Sequence, residues 1–188
     1  MSDNLDGLLS SFLRRKRLEA ARPFVRGKVL DYGCGIGLAG DLADEDGYVG
    51  VDIDPDVLVE ARRRHPRGRF LTPAELPGLS AGPFETILAL AVIEHLPAPR
   101  TFLELLASRL QAGGRIVVTT PAPALDWVHG LGGHLRLFAR ESHLEHQSLM
   151  GRRQIFDAAN KAGLAIEVYR RFLLGANQLA VMRLYAPR

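Results

Sequence analysis

The stretch AIEVYRRFLLGANQLAVMRLY, Ala165–Tyr185, ends the chain in two apolar, strand-like runs with only LLGAN, Leu173–Asn177, between them. Parallel neighbours in a sheet need a crossover of about a dozen residues or more, so this short link makes the last strand antiparallel to the one before it. Upstream, five more runs read as strands: KVLDYG (Lys28–Gly33), YVGVDID (Tyr48–Asp54), GRFLT (Gly68–Thr72), ETILALAVI (Glu85–Ile93) and RIVVTTP (Arg115–Pro121). Most are short apolar runs ending in turn residues, the signature of buried parallel strands.

Helical patterns alternate with them. An amphipathic helix is expected over residues 5–25, within a leading segment 1–27. Asp54-Pro55 supplies an N-cap and a first-turn proline for a helix reaching Arg64. Phe102, Leu105, Leu106 and Leu110 recur at helical spacing ahead of Gly113-Gly114, and Ile155, Phe156, Ala159 and Ala162 mark a last helix ended by Gly163. Between the third and fourth strands there is little room for a helix. The expected fold is α/β: an open, mainly parallel seven-stranded sheet with an antiparallel last strand and helices on both faces.

The 188 residues suit one domain, residues 1–188, with 47% hydrophobic and 24% charged side chains. No apolar run approaches the roughly 20 residues of a membrane span, and MSDNLDG lacks a secretory pattern, so the expected location is the cytoplasm. A lone cysteine, Cys34, excludes an internal disulfide framework and a cysteine-rich zinc site, and reads as a small core filler. The net charge of +3 comes mostly from arginine, densest at Arg14–Arg17 and Arg62–Arg64, where the charges read as solvated helix faces.

Two glycine registers overlap in LDYGCGIGLAG, Leu30–Gly40. Gly35-x-Gly37-x-x-Gly40 is a dinucleotide fingerprint, which presents helix N–H groups to a pyrophosphate. Gly33-x-Gly35-x-Gly37 behind Asp31 suits an adenosine cofactor that ends in an amino acid, with Asp31 placed for an ammonium group. Asp52, ending the second strand, can accept from two ribose hydroxyls in either scheme. The terminal hairpin counts against the first register, because a half-barrel of βαβ units has none.

Taken together, these segments resemble the class I S-adenosylmethionine-dependent methyltransferases, in particular small bacterial methyltransferase-domain proteins. VLDYGCGIG (Val29–Gly37), GVDIDP (Gly50–Pro55), LALAVIEHLPAP (Leu88–Pro99) and LQAGGRIVVTTP (Leu110–Pro121) are similar to that family's segments, in its order. The resemblance implies a three-layer Rossmann-like methyltransferase fold and S-adenosyl-L-methionine as cofactor. It also implies that Asp31, Gly33 and Gly35 border the methionine, that Asp52 holds the ribose, that Ile53 packs on the adenine, and that Leu90 and Ala91 lie under the methionine end. The acid that often follows the third strand is displaced here to Glu75, in Thr72-Pro73-Ala74-Glu75.

For the acceptor, the stretch Leu90-Ala91-Val92-Ile93-Glu94-His95 lacks the Asn/Asp-Pro-Pro-aromatic motif of enzymes that methylate amino groups of nucleic-acid bases. A small-molecule or glycan-like acceptor, methylated on oxygen or nitrogen, is therefore expected ahead of nucleic acid. Residues 121–149 form the longest stretch without clear periodicity and read as a lid or acceptor loop, with Trp127, Leu131, Leu135 and Phe138 as its apolar face. It carries His129, His134, His143 and His146. His146, His143 and His95 are the candidate catalytic residues, since imidazole can take a proton as the methyl arrives. His143-x-x-His146 is not completed by further ligands, so no metal is expected. Two other readings stand beside this one: an NAD(P)-dependent oxidoreductase, and a non-catalytic S-adenosylmethionine-binding partner subunit.

Overall fold

The structure, a computed structural model, describes residues 2–44, 46–80, 82–123 and 150–185. Among these, seven strands form one sheet: β1 (Val29–Tyr32), β2 (Tyr48–Val51), β3 (Arg69–Leu71), β4 (Phe84–Leu90), β5 (Leu110–Pro121), β6 (Leu164–Phe172) and β7 (Asn177–Leu184). Their order is β3-β2-β1-β4-β5-β7-β6. The first five pair in parallel, while β7 slots between β5 and β6 and runs antiparallel to both. The hairpin inferred from LLGAN is therefore present. Leu173 and Leu174 both sit in the left-handed region, with φ of 52° and 54°, and the Gly175 N–H closes the turn on the Phe172 carbonyl at 3.2 Å. Such a turn follows the twist of the strands, at about 1–2 kcal/mol for each non-glycine residue in that region.

Among the described residues four helices flank the sheet: α1 (Ser2–Ala21), α2 (Pro55–Arg64), α3 (Pro99–Ser108) and α4 (Arg152–Lys161). The Asp54 side chain caps α2 by accepting from the Asp56 N–H at 2.9 Å, with Pro55 in the first turn. Alternate strand residues face opposite layers. Leu30, Ile87, Ile116, Val118 and Ala180 pack with Leu103 and Leu106 of α3 and Ile155 and Ala159 of α4. Val29, Leu88, Val117, Leu179 and Val181 face Ala21 of α1 and Leu58 and Ala61 of α2. Both faces of the central strands are dry, which is why they read as continuous apolar runs.

Some boundaries differ from the sequence pattern. β4 ends at Leu90 rather than Ile93, because Ala91 turns into the left-handed region and a 3-10 turn, Ile93–His95, follows. β5 starts at Leu110 and takes Gly113-Gly114 into its first part, where its pairing register with β4 shifts. Between β1 and β2 the described chain has only a 3-10 turn, Leu38–Leu42. No described helix is long and apolar enough to cross a membrane. Of the expected lid, residues 124–149 lie outside the described residues, and with them Trp127, His129, His134, His143 and His146.

Gly50 in the middle of β2 is tightly packed: a Cβ there would stand 2.7 Å from Phe70 Cδ1 and 2.8 Å from Cys34 Sγ. Gly50→Ala is expected to cost about 1–3 kcal/mol by overpacking, measured as a lower urea midpoint at unchanged slope. An unchanged midpoint would show that the Phe70 and Cys34 side chains yield freely.

Candidate functional site

The carboxyl ends of β1, β2 and β4 meet where the strand order reverses, the position at which open α/β sheets bind ligands. Asp31, on β1, is buried, and its Oδ2 accepts from the Tyr48 hydroxyl at 2.7 Å. Burial pushes its carboxyl up to about 6; the Tyr48 bond works against that shift and the neighbouring Asp52 charge adds to it. No local sequence signal pairs Tyr48 with Asp31. The contact exists because β2 lies beside β1, with Val29 opposite Tyr48.

The loop after β1 is tied to β2 at three points. The N–H groups of Gly33 and Cys34 both donate to the Val51 carbonyl, at 2.7 and 3.0 Å, and the Gly35 N–H donates to Asp52 Oδ2 at 2.8 Å. Gly33 is required twice over, since its φ is 78° and a Cβ would lie 2.5 Å from Val92 Cγ2. Gly35 has φ 52° and nothing within 4 Å of a Cβ position, an open backbone surface for a ligand. Cys34 is buried, and burial holds its thiol well above the usual range, so it serves as core filler and not as a nucleophile.

Asp52 Oδ1 accepts from the Asp54 N–H at 3.1 Å. A carboxylate has roughly four lone-pair sites, so about two remain for a vicinal diol. Ile53 beside it is 82% exposed, an aliphatic surface against which a flat base can pack. Leu90 and Ala91 are half-buried at the end of β4. Ala91, at φ 61°, is anchored by its N–H to the Thr119 carbonyl at 2.8 Å. That conformation costs on the order of 1–3 kcal/mol and turns the chain sharply beside the glycine loop. The structure thus brings Asp31, Gly33, Gly35, Asp52, Ile53, Leu90 and Ala91 to one edge of the sheet. Their chemistry fits S-adenosylmethionine: a buried acid for the ammonium, a bare backbone for the amino-acid chain, a carboxylate for the ribose and an exposed aliphatic group for the adenine.

The dinucleotide register finds no such support. The 3-10 turn after Gly37 offers no α-helix N-terminus to a pyrophosphate. Gly37 and Gly40 instead make room for His65, whose Nε2 lies 2.8 Å from the Gly37 carbonyl oxygen. A Cβ on Gly40 would come within 2.7 Å of that ring. Glu75 is also accounted for locally. Its Oε2 accepts from the Thr72 N–H and hydroxyl at 2.7 and 2.8 Å, which holds the carboxyl below its usual range.

His95 is exposed at the end of its 3-10 turn, and its neighbour Glu94 is buried, with burial holding that carboxyl above its usual range. Glu94 also lines a groove of about 630 Å³ between this turn and α4, rimmed by Arg100, Gln154, Asp157 and Lys161. His143 and His146 lie outside the described residues. Among the described residues no group of three or more histidine, cysteine or acidic side chains has metal-binding geometry.

Comparison with known proteins agrees with this geometry. The family model described as a methyltransferase domain matches residues 5–168. A ribosomal protein L11 methyltransferase from Burkholderia multivorans is 37% identical over 95 residues, covering 48% of this chain. The aligned part is 31% of that relative, so the chain spans about a third of the length of the curated relatives it matches. A chain from the complex between the Haloferax volcanii Trm112 methyltransferase activator and a methyltransferase superposes with a TM-score of 0.73 at 16% identity, covering 97% of this chain and 94% of that one. The magnesium protoporphyrin IX methyltransferase of Synechocystis, with bound S-adenosylhomocysteine, superposes at 0.62 and 19% identity, covering 95% and 83%. At these identities the likeness to the solved structures establishes the fold alone.

Asp31 holds an ammonium group only as a carboxylate, and its ionised fraction rises with pH through about 6. S-adenosylhomocysteine affinity, followed by calorimetry, should therefore rise by about tenfold from pH 5 to pH 7 and then level off. Tyr48→Phe removes the bond that favours ionisation and should move the rise to higher pH. In the free protein the sign is opposite: the protonated form is favoured by folding, and that contribution is lost as pH climbs from about 4 to about 6. A flat binding profile would remove Asp31 from the ammonium site.

Proposed function

The chain belongs to the methyltransferase-domain family, and on that premise we propose that it is an S-adenosylmethionine-dependent methyltransferase acting on an oxygen or nitrogen of a small-molecule or glycan-like acceptor. The single observation that carries the cofactor side is the Asp52 carboxylate, which gathers the Gly35 and Asp54 N–H groups and keeps acceptor capacity for a ribose. The acceptor side is supported by Leu90–His95, which has no aromatic platform for a flipped base where base-methylating relatives carry one. The curated relatives named for ribosomal protein L11 keep a protein acceptor as the competing case, although the chain matches only 31% of their length.

The cofactor supplies a methyl group on a sulfonium, already a good leaving group, so the protein's part is to fix the line of attack and to manage one proton. Asp52, Ile53 and the loop Gly33–Gly35 orient the adenosine and methionine in this reading, and Asp31 holds the ammonium. Val92 packs over Gly33. A histidine takes the proton from the acceptor, with His146 proposed first and His143 and His95 beside it.

Titration calorimetry is expected to detect S-adenosylmethionine and S-adenosylhomocysteine but not NAD or NADP; the reverse pattern would overturn the reading. Asp52→Ala should weaken S-adenosylhomocysteine by at least about tenfold in a protein that still melts cooperatively. Methyl transfer from labelled cofactor to panels of sugars, small alcohols and amines, ribosomal proteins and RNA sorts the acceptor classes, and labelling of ribosomal protein or RNA alone would refute the proposed one. With an acceptor in hand, His146→Ala should lower turnover by roughly 10²–10⁴ while cofactor affinity stays unchanged.

A further inference from the structure

Arg115 on β5 and Arg183 on β7 stand one step beyond the Ile116–Met182 pair of the antiparallel ladder, so their side chains leave the sheet opposite each other. Val117 and Val181, two residues from each, pack in the α1 layer, and the alternation of a strand puts both arginines on that same face. Like charges opposed across a ladder are destabilising. A third guanidinium joins them. Arg26, just ahead of β1, donates from Nη2 to the carbonyl of Gly113, close before Arg115 in the chain, at 3.1 Å.

Among the described residues Glu167 is the carboxylate that answers this group. It sits at the bulge in β6 with Oε2 2.7 Å from Arg183 Nε, an ion pair made without hydrogen-bond alignment. Glu85 is turned elsewhere, accepting from the Lys28 N–H at 3.1 Å. The Nε groups of Arg115 and Arg183 are both buried without a hydrogen-bond partner among the described residues. Desolvation holds the Arg115 guanidinium below its usual range, the Arg26 and Arg183 charges add to that shift, and Glu167 opposes it. Three guanidiniums thus share one carboxylate.

Planar forks of N–H donors are complementary to oxyanions. A carboxylate brings two oxygens and one charge, enough for one fork. A phosphate monoester brings about −1.5 to −2 charges at pH 7 on three terminal oxygens, which matches the excess charge and lets each guanidinium find an acceptor. The cofactor cleft lies at the other end of the strands. Arg115 is opposite Thr86 of β4 and Thr119 is opposite Leu90, so about 13 Å of strand separates the two levels at about 3.3 Å per residue.

We propose that Arg26, Arg115 and Arg183 form a phosphate-binding site on the α1 face of the sheet, at the end remote from the cofactor cleft, for a phosphate dianion that is free or carried as a monoester. The site stands independently of what the cleft binds. The readout is the Nε–H resonances of Arg115 and Arg183, assigned by their loss in Arg115→Gln and Arg183→Gln. Inorganic phosphate, methyl phosphate and an oligouridylate without terminal phosphates are titrated near neutral pH at constant ionic strength. Inorganic phosphate is expected to shift both resonances saturably, and Arg115→Gln, read on Arg183, to weaken its binding by at least tenfold. Arg26→Gln removes an exposed side chain and should weaken binding by at least threefold, which keeps the test decisive if Arg115→Gln does not fold. Methyl phosphate binding within threefold of the free ion, or tighter, assigns the site to a phosphorylated molecule; weaker binding than that assigns it to inorganic phosphate. Shifts that do not saturate, or affinities unchanged in the variants, would overturn the site. Binding of the oligouridylate without binding of phosphate would also overturn it, making the arginines a track for a nucleic-acid backbone.

Discussion

The edge of the sheet is organised around the two N–H groups that Asp52 gathers, one from the glycine loop and one from the entrance to α2. Without a common acceptor these two segments would have separate conformational freedom, and fixing a residue's backbone costs about 1–2 kcal/mol. The carboxylate holds Gly35 in its left-handed conformation with its surface clear, and it sets Asp54 to cap α2. Ile53, between the two anchors, is left pointing outward. One side chain therefore shapes the loop, starts the helix and presents the apolar surface beside it. Charge-assisted bonds of this kind contribute about 1.5–3 kcal/mol each, enough to order a loop of this size.

Two buried carboxyls flank that arrangement, and their surroundings separate their uses. Asp31 has a donor, the Tyr48 hydroxyl, which recovers part of the cost of burial and keeps ionisation within reach of neutral pH. For Glu94 burial outweighs the bonds from its own backbone and the Thr120 hydroxyl, so it resists ionisation more than an exposed glutamate. An ionisable Asp31 favours a cationic group at the methionine end.

The glycines show how one short stretch serves both packing and binding. Gly33 and Gly35 keep their backbone near the ligand position and against Val92, while Gly37 and Gly40 are spaced for the His65 ring. A pattern of glycines alone does not distinguish these duties, because each needs only the absence of a Cβ. The distinction comes from what lies opposite, and His65, arriving from the end of α2, carries no signal in the sequence that it will fill that space.

Local chemistry determined much of this protein from the sequence alone. The five-residue link between the last two strands fixed an antiparallel pair, Asp54-Pro55 fixed the start of α2, and the dry runs of β1, β4 and β5 fixed a sheet covered on both faces. Asp31 and Asp52 were legible at the ends of the first two strands, whereas Gly33, Gly35, Ile53, Leu90 and Ala91 were singled out by the resemblance to the family and not by strand pattern. Tertiary structure alone decided the contacts between distant segments: Tyr48 on Asp31, His65 under Gly37 and Gly40, and Arg17 on Asn177 across 160 residues. The physical reason is range. Periodicity, caps and turns are set by neighbours within a few residues, whereas a hydrogen bond between strands or layers depends on which elements the fold brings side by side.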